Sequence, residues 1–242
     1  MQTASGEEKI YDYLLESLPA HFDALRLLRE SDRGRISLLR HRSTGEHFVL
    51  REYTGSARTY QLLRGVSCPH LPRVYEAAQK GEQALVLEEY IQGDDLAFLL
   101  QEGPLLPREA RKIARDLCAA LCVLHGLGAV HRDIKPENVL VRGDQAVLID
   151  LDAARLVKQD QTADTQVLGT TGFAPPEQFG LSQTDQRADI YAMGVLLNVM
   201  LTGKHPSAQL ARGRYRHVVR RCTMTNPENR YHSALHLMEA LT

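Results

Sequence analysis

Cysteine is scarce in this chain. Cys68, Cys118, Cys122 and Cys222 are the only four in 242 residues. No two of them form a C-x-x-C pair, and their number excludes a disulfide framework. Free thiols of this kind imply a reducing compartment, and a cytoplasmic protein is the expectation. Long apolar runs are missing too. None approaches the roughly 18 residues that a membrane span needs. The opening stretch MQTASGEEKI lacks the basic and apolar regions of a signal peptide. An excess of either charge is also absent: 29 basic and 30 acidic residues leave a net charge of −1. That gives no electrostatic reason to expect nucleic acid or an anionic membrane as partner. The basic run Arg212-Gly-Arg-Tyr-Arg with Arg220-Arg221 reads as a solvated helix face. Internal repeats and low-complexity segments are lacking. What is present is 43% hydrophobic residues, enough to bury a sizeable core.

The apolar residues change period along the chain. Ile10, Tyr13, Leu14 and Leu18 share one face of a short helix over residues 7–18, which Pro19 is expected to end. Short apolar runs follow at Leu25–Leu28, Ile36–Leu39, Phe48–Leu50, Val74–Ala77 and Ala84–Leu87. Turn residues such as Ser43-Thr-Gly-Glu and Lys80-Gly-Glu separate several of them, as in an antiparallel sheet with hairpins. Residues 57–66 read as a short helix. After Gly93 the pattern becomes helical. Asp94 or Asp95 can cap a short helix. Pro107 starts a long one with Ile113, Leu117, Leu121 and Leu124 on one stripe, ended by Gly126 and Gly128. Cys118, Cys122 and His125 share a face of that helix, and a packed core explains them better than a metal site. Val139–Val141 and Ala146–Ile149 form a second strand pair. Residues 186–202, 214–223 and 233–241 are the remaining helices. The fold class is therefore α+β, with a strand-rich part to about residue 90 and a helical part after it.

One short loop concentrates the chemistry. In His131-Arg-Asp-Ile-Lys-Pro-Glu-Asn138, Asp133 offers a carboxylate base, Lys135 a cation two residues later, and Asn138 a neutral oxygen for a divalent cation. Asp150, in Ile149-Asp-Leu-Asp152, follows an apolar strand and suits Mg²⁺, which takes one or two protein carboxylates plus phosphate oxygens. Base, cation and metal ligands together fit phosphoryl transfer, which needs positioning and charge stabilisation more than covalent help.

These residues resemble the protein kinase family, and the resemblance extends from about residue 25 to the end. HRDIKPEN is similar to the catalytic loop, and IDLD to the strand that carries the metal-binding aspartate of the DFG motif. Gly169–Glu177 resembles the segment ending in APE. Asp189-Ile-Tyr-Ala-Met-Gly194 resembles the helix whose aspartate anchors the catalytic loop. Asn226–Arg230 resembles the late arginine motif, which implies a pair between Arg230 and Glu177. The resemblance implies a bilobal kinase-like fold in a single domain over 1–242: a helical extension 1–24, a small antiparallel-sheet lobe 25–90 and a larger helical lobe 91–242. Lys135 matches the serine/threonine branch, and VLEEYIQG with GTTGFAPPEQFG looks bacterial. The implied function is transfer of the ATP γ-phosphate, with Mg²⁺, to a protein substrate's hydroxyl. The implied catalytic residues are Asp133, Lys135 and Asn138, and the metal ligands Asn138 and Asp150. The implied nucleotide contacts are Gly34, Ile36, Arg51, Glu89, Ile91, Asp95 and Leu140, with Asp95 reaching the ribose. The implied activation segment holds Thr162, Thr165, Thr170 and Glu177. A phosphate on Thr162 or Thr165 would pair with Arg132, while Arg132, Asp189 and Arg230 hold the loop and segment in place.

The small lobe departs from the family pattern. The glycine-rich loop is expected at about 29–34, where the chain reads Arg-Glu-Ser-Asp-Arg-Gly and only Gly34 remains. Arg51 stands at the phosphate-binding lysine, and the glutamate that should pair with it falls at Thr59 or Tyr60. A solvent-facing Arg51 is the bland alternative. Leu151 and Asp152 replace the last two residues of DFG. Glu88 occupies a position behind the adenine that is usually apolar. These losses keep a second function in view, a pseudokinase acting as a non-catalytic binding or scaffold module.

Overall fold

The computed structural model describes residues 6–157, 170, 172–179 and 185–242. It divides into two compact units, Met1–Ser67 with Pro72–Ile91 and Cys68–Leu71 with Gln92–Thr242.

The first unit is a five-stranded antiparallel sheet with a helix on each face. Its elements are α1 (Gly6–His21), β1 (Phe22–Ser31), β2 (Gly34–His41), β3 (His47–Thr54), α2 (Arg58–Leu63), β4 (Val74–Lys80) and β5 (Gln83–Glu89). The strand order is β1-β2-β3-β5-β4. Alternation along each strand separates two faces. One face gathers Leu39, Leu50, Leu85 and Leu87, and Leu18 of α1 completes that cluster with Tyr11, Leu14, Phe22 and Phe48 packed around it. The other face carries Val49, Arg51 and Tyr53, all buried, and Tyr60 of α2 lies against Tyr53 with ring centroids 6.3 Å apart.

Pro19 does not end α1, which runs on to His21. Proline removes one hydrogen bond, to the carbonyl four residues back, but its φ suits a helix. That carbonyl belongs to Leu15, an exposed residue, so water can satisfy it. The sheet likewise begins at Phe22, ahead of the expected residue 25. The expected helix at 57–66 is confined to Arg58–Leu63.

Residues 29–34 form a regular hairpin end, with Arg29 opposite Ile36, Glu30 opposite Arg35 and Ser31 opposite Gly34 around an Asp32-Arg33 turn. Gly34 is needed for strand packing: a Cβ there would lie 2.1 Å from the Glu52 carbonyl oxygen.

The second unit contains β6 (Asp94–Asp95), α3 (Leu96–Leu99), α4 (Pro107–Gly126), β7 (Ala129–Val130), β8 (Val139–Arg142), β9 (Gln145–Leu148), β10 (Arg155–Leu156), α5 (Arg187–Thr202), α6 (Arg214–Cys222) and α7 (Ala234–Ala240). Pro107 opens α4, and the Glu109 carboxylate accepts from the Leu106 N–H to cap it. Gly126 stays inside the helix, and Gly128, at φ 77°, is the residue that turns the chain away. Ile113, Leu117, Leu121 and Leu124 are all buried. Gly194 lets α5 and α6 approach, since a Cβ there would lie 2.2 Å from Cys222 Cβ. Residues 68–71 join this unit through His70, whose carbonyl accepts from Leu148 N–H and whose Nδ1–H donates to the Ala146 carbonyl.

Leu18→Ala removes the residue through which α1 enters the sheet cluster. Urea denaturation should show a loss of about 2–3 kcal/mol, as for other large-to-small core changes. An unchanged midpoint would mean that α1 is not part of the first unit's core.

Candidate active site

The turn from β7 into the 3-10 segment Pro136–Asn138 carries the loop His131–Asn138, and a buried carboxylate organises it. Asp189, in the first turn of α5, is fully buried. It accepts from the backbone N–H groups of His131 and Arg132, both at 2.9 Å, and from His125 Nε2–H at 2.8 Å. Burial alone would raise its pKa. The hydrogen bonds from His125 and from the Arg132 backbone N–H oppose that, and its pKa lies below the ordinary value of 3.8. These bonds also secure an unusual backbone. Arg132 has φ 71°, a left-handed conformation that costs a non-glycine residue about 1–2 kcal/mol. From the other side, Gln178 Nε2–H donates to the Arg132 carbonyl at 2.9 Å.

His131 links the loop to the strand that leads to Asp150. Its Nδ1 accepts from Asp133 N–H at 3.3 Å, so the ring hydrogen is on Nε2, which donates to the Ile149 carbonyl at 3.2 Å. Ile149 N–H in turn donates to the Asn138 carbonyl. Asp150 follows at φ 68°, again in the left-handed region. Such strained non-glycine residues, one within the loop and one just past the strand bonded to it, cluster at functional sites.

The structure brings Asp133, Lys135, Asn138 and Thr170 together. Asp133 Oδ1 accepts from Thr170 Oγ1–H at 2.7 Å, and Oδ2 accepts from Asn138 Nδ2–H at 3.0 Å. Lys135 Nζ lies 2.7 Å from Asp133 Oδ2 and donates to Thr170 Oγ1 at 2.9 Å. Burial would raise the Asp133 pKa, but Lys135 and Thr170 bring it below 3.8, so the group is a carboxylate. Asn138 Nδ2 also donates to the Asp133 carbonyl, which leaves its Oδ1 as the oxygen to offer a cation. Oxygen donors from one amide and one carboxylate, Asn138 and Asp150, suit a hard divalent cation, so these residues fit the metal that kinase chemistry needs.

Arg230 is wholly buried beneath this region, with an acceptor for each of its five N–H donors. Glu177 takes two, at 2.5 and 2.9 Å, and the carbonyls of Met224, Arg187 and Thr225 take the others. The expected phosphosites Thr162 and Thr165 lie outside the described residues. Asp95 Oδ1 accepts from Phe98 N–H and caps α3, so this oxygen serves the helix. Leu140 pairs directly with Asp95 across β8 and β6.

In the first unit, Ile36 lies opposite Arg51, and Ile91 is buried. Glu89 N–H donates to the Arg73 carbonyl. Arg51 is 4% exposed, so the solvent-facing alternative does not hold. It also corrects one expectation, since it is not without a carboxylate partner. Its Nε–H donates to Glu88 Oε1 at 2.6 Å.

Sequence reasoning missed His125 and Gln178 as supports of the loop, and no local signal reveals either. Glu88 did carry one: it is a charge ending the apolar run Ala84–Leu87, at a position with the same strand parity as Arg51's neighbour Val86.

Asp189→Asn should cost about 1–3 kcal/mol for each loop N–H left without an acceptor. A carboxyl with a lowered folded-state pKa stabilises the fold above pH 3.8, and that contribution disappears as pH falls through the lowered value. Urea denaturation across that acid range should therefore show a shallower loss for Asp189→Asn than for wild type. Parallel curves would contradict the charge assignment.

Comparison with known proteins agrees with this geometry. The family model described as protein kinase domain matches residues 33–241. The serine/threonine-protein kinase pkn2 of Myxococcus xanthus is 33% identical over 208 residues, covering 78% of this chain and 25% of the relative. PknD of Mycobacterium tuberculosis, also named a serine/threonine-protein kinase, is 32% identical over 199 residues, covering 76% of the chain and 30% of the relative. PknE of the same species is 38% identical over 141 residues, 57% of the chain and 25% of the relative. The chain thus spans between 25% and 30% of the length of these relatives. With a catalytic loop tied to a buried aspartate, a Glu177–Arg230 pair and a family match over most of its length, the chain belongs to the protein kinase family.

Proposed function

We propose that residues 1–242 form one kinase domain that transfers the γ-phosphate of ATP to a serine or threonine hydroxyl of a protein, with Mg²⁺ as its cation. The observation that carries this is the Asp133–Lys135–Thr170–Asn138 cluster. A carboxylate has about four lone-pair sites. Among the described residues Thr170, Asn138 and Lys135 engage three of them, which leaves a lone pair of Oδ1 for the acceptor hydroxyl. As the new O–P bond forms and the bond from the γ-phosphorus to its bridging oxygen breaks, the hydroxyl proton goes to Asp133 and ADP leaves. Lys135, fixed beside Asp133, offsets negative charge on the phosphoryl group. A cation held by Asn138 Oδ1 and Asp150 would neutralise phosphate oxygens. Lys135 in this loop supports serine or threonine over tyrosine, and the names of the relatives point the same way. Four free thiols support a reducing, cytoplasmic setting.

Transfer of labelled γ-phosphate to a generic protein substrate tests this reading. Wild type should exceed Asp133→Asn by about 100-fold or more, the lower end of what a general base supplies. No signal above that variant, with both proteins folded, would leave the fold as a non-catalytic binding module.

A further inference from the structure

The backbone that carries Thr170 is held at a second point. Thr170 Oγ1–H donates to Asp133 Oδ1, and the carbonyl of nearby Gly172 accepts from His205 Nε2–H at 2.9 Å. The chain is drawn tight there, because the N–H groups of Phe173 and Ala174 both donate to the Thr170 carbonyl. We propose that His205 is a positioning residue for phosphoryl transfer: it anchors this segment so that the Thr170 hydroxyl keeps one lone pair of Asp133 Oδ1 and leaves the other for the acceptor. This rests on the proposed transfer reaction.

The neighbouring chain sets the hydrogen on Nε2. Ser207 N–H and Ser207 Oγ–H both point at His205 Nδ1, at 3.2 and 2.7 Å. A backbone N–H can only donate, so Nδ1 of the neutral ring is the acceptor and Nε2 carries the hydrogen. Pro206 disfavours a helical backbone at His205. The His205 carbonyl accepts from the N–H groups of Ala208 and Gln209, which closes the turn behind the ring.

That turn is fastened to α5. Gly203, at φ 68°, ends the helix and lets the chain fold back. Asn198, fully buried on α5, donates through Nδ2 to the carbonyls of Lys204 and Gln209 at 2.7 and 2.8 Å. Its Oδ1 accepts from Ala211 N–H at 2.8 Å. α5 therefore reaches Asp133 by two routes. Asp189 holds the loop just before the carboxylate, and Asn198 holds the turn whose His205 fixes Gly172 and, through it, Thr170.

The anchor matters because Lys135 competes. Lys135 Nζ donates to Thr170 Oγ1 and lies 2.7 Å from Asp133 Oδ2. If Thr170 drifted away, Oδ1 would lose its donor and the ammonium would have only the carboxylate. Asp133 would then turn toward Lys135 and away from the acceptor. Small losses of alignment between reacting groups are costly in rate.

Steady-state transfer from labelled ATP to a generic protein substrate tests this, with Asp133→Asn as the reference. His205→Met keeps the bulk without a donor, and His205→Gln offers an amide N–H where Nε2–H stood. His205→Met should lower kcat by about 3- to 10-fold, the scale of one neutral hydrogen bond, with KM for ATP within about twofold of wild type. His205→Gln should recover most of that loss. Because His205 acts through Thr170, adding His205→Met to Thr170→Val should cost less than about twofold more. An unchanged kcat in His205→Met would overturn the role. So would a loss that His205→Gln does not recover, or one that multiplies with that of Thr170→Val. If Thr170→Val fails to fold, the comparison of methionine with glutamine decides alone. If wild type transfers no more phosphate than Asp133→Asn, the transfer reaction itself has failed and this role falls with it.

Discussion

A carboxylate removed from water must find donors, and Asp189 finds them in the backbone of the loop His131–Asn138. The N–H groups of His131 and Arg132 and the ring of His125 converge on it. Burial strengthens each of these bonds and makes each costly to lose. That is how Arg132 remains in a left-handed backbone conformation. The strained turn in turn sets the direction of the next residue, Asp133. The position of the Asp133 carboxylate therefore depends on a side chain more than fifty residues later, on α5.

The second unit repeats this logic in its other polar contacts. His131 uses one ring nitrogen on Asp133 and the other on Ile149, so the loop and the approach to Asp150 share one rigid ring. Arg230 has an acceptor for every donor and is closed from water. Groups held in this way need no reorganisation when charge develops nearby, which is the condition for electrostatic catalysis. The first unit follows the same rule with a different pair. Arg51 and Glu88 are buried together, and their separation is fixed by strand register.

Much of this was legible in the residues. Strand parity in Phe48–Leu50 and Ala84–Leu87 separates the two faces of the sheet, and the stripe Ile113, Leu117, Leu121 and Leu124 marks the inner face of α4. HRDIKPEN, IDLD and the positions of Asp189 and Arg230 pointed to the family before any coordinate. Local rules failed where tertiary packing opposed them. Pro19 stays helical because Leu18 is held in the sheet cluster. Gly34 reads as a remnant of a phosphate loop, yet the nearness of Glu52 accounts for it.

The sequence by itself determined the family and singled out Asp133, Lys135, Asn138 and Asp150, because these lie within short segments whose spacing is the motif. Only the tertiary structure decided how their charges are answered. Arg51 and Glu88 are 37 residues apart, and Gln178 reaches Arg132 across 46. Such pairs form through sheet register and loop packing, which no local spacing encodes. The apparent loss of an ion pair in the sequence is, in the folded chain, a change of partner from helix to strand.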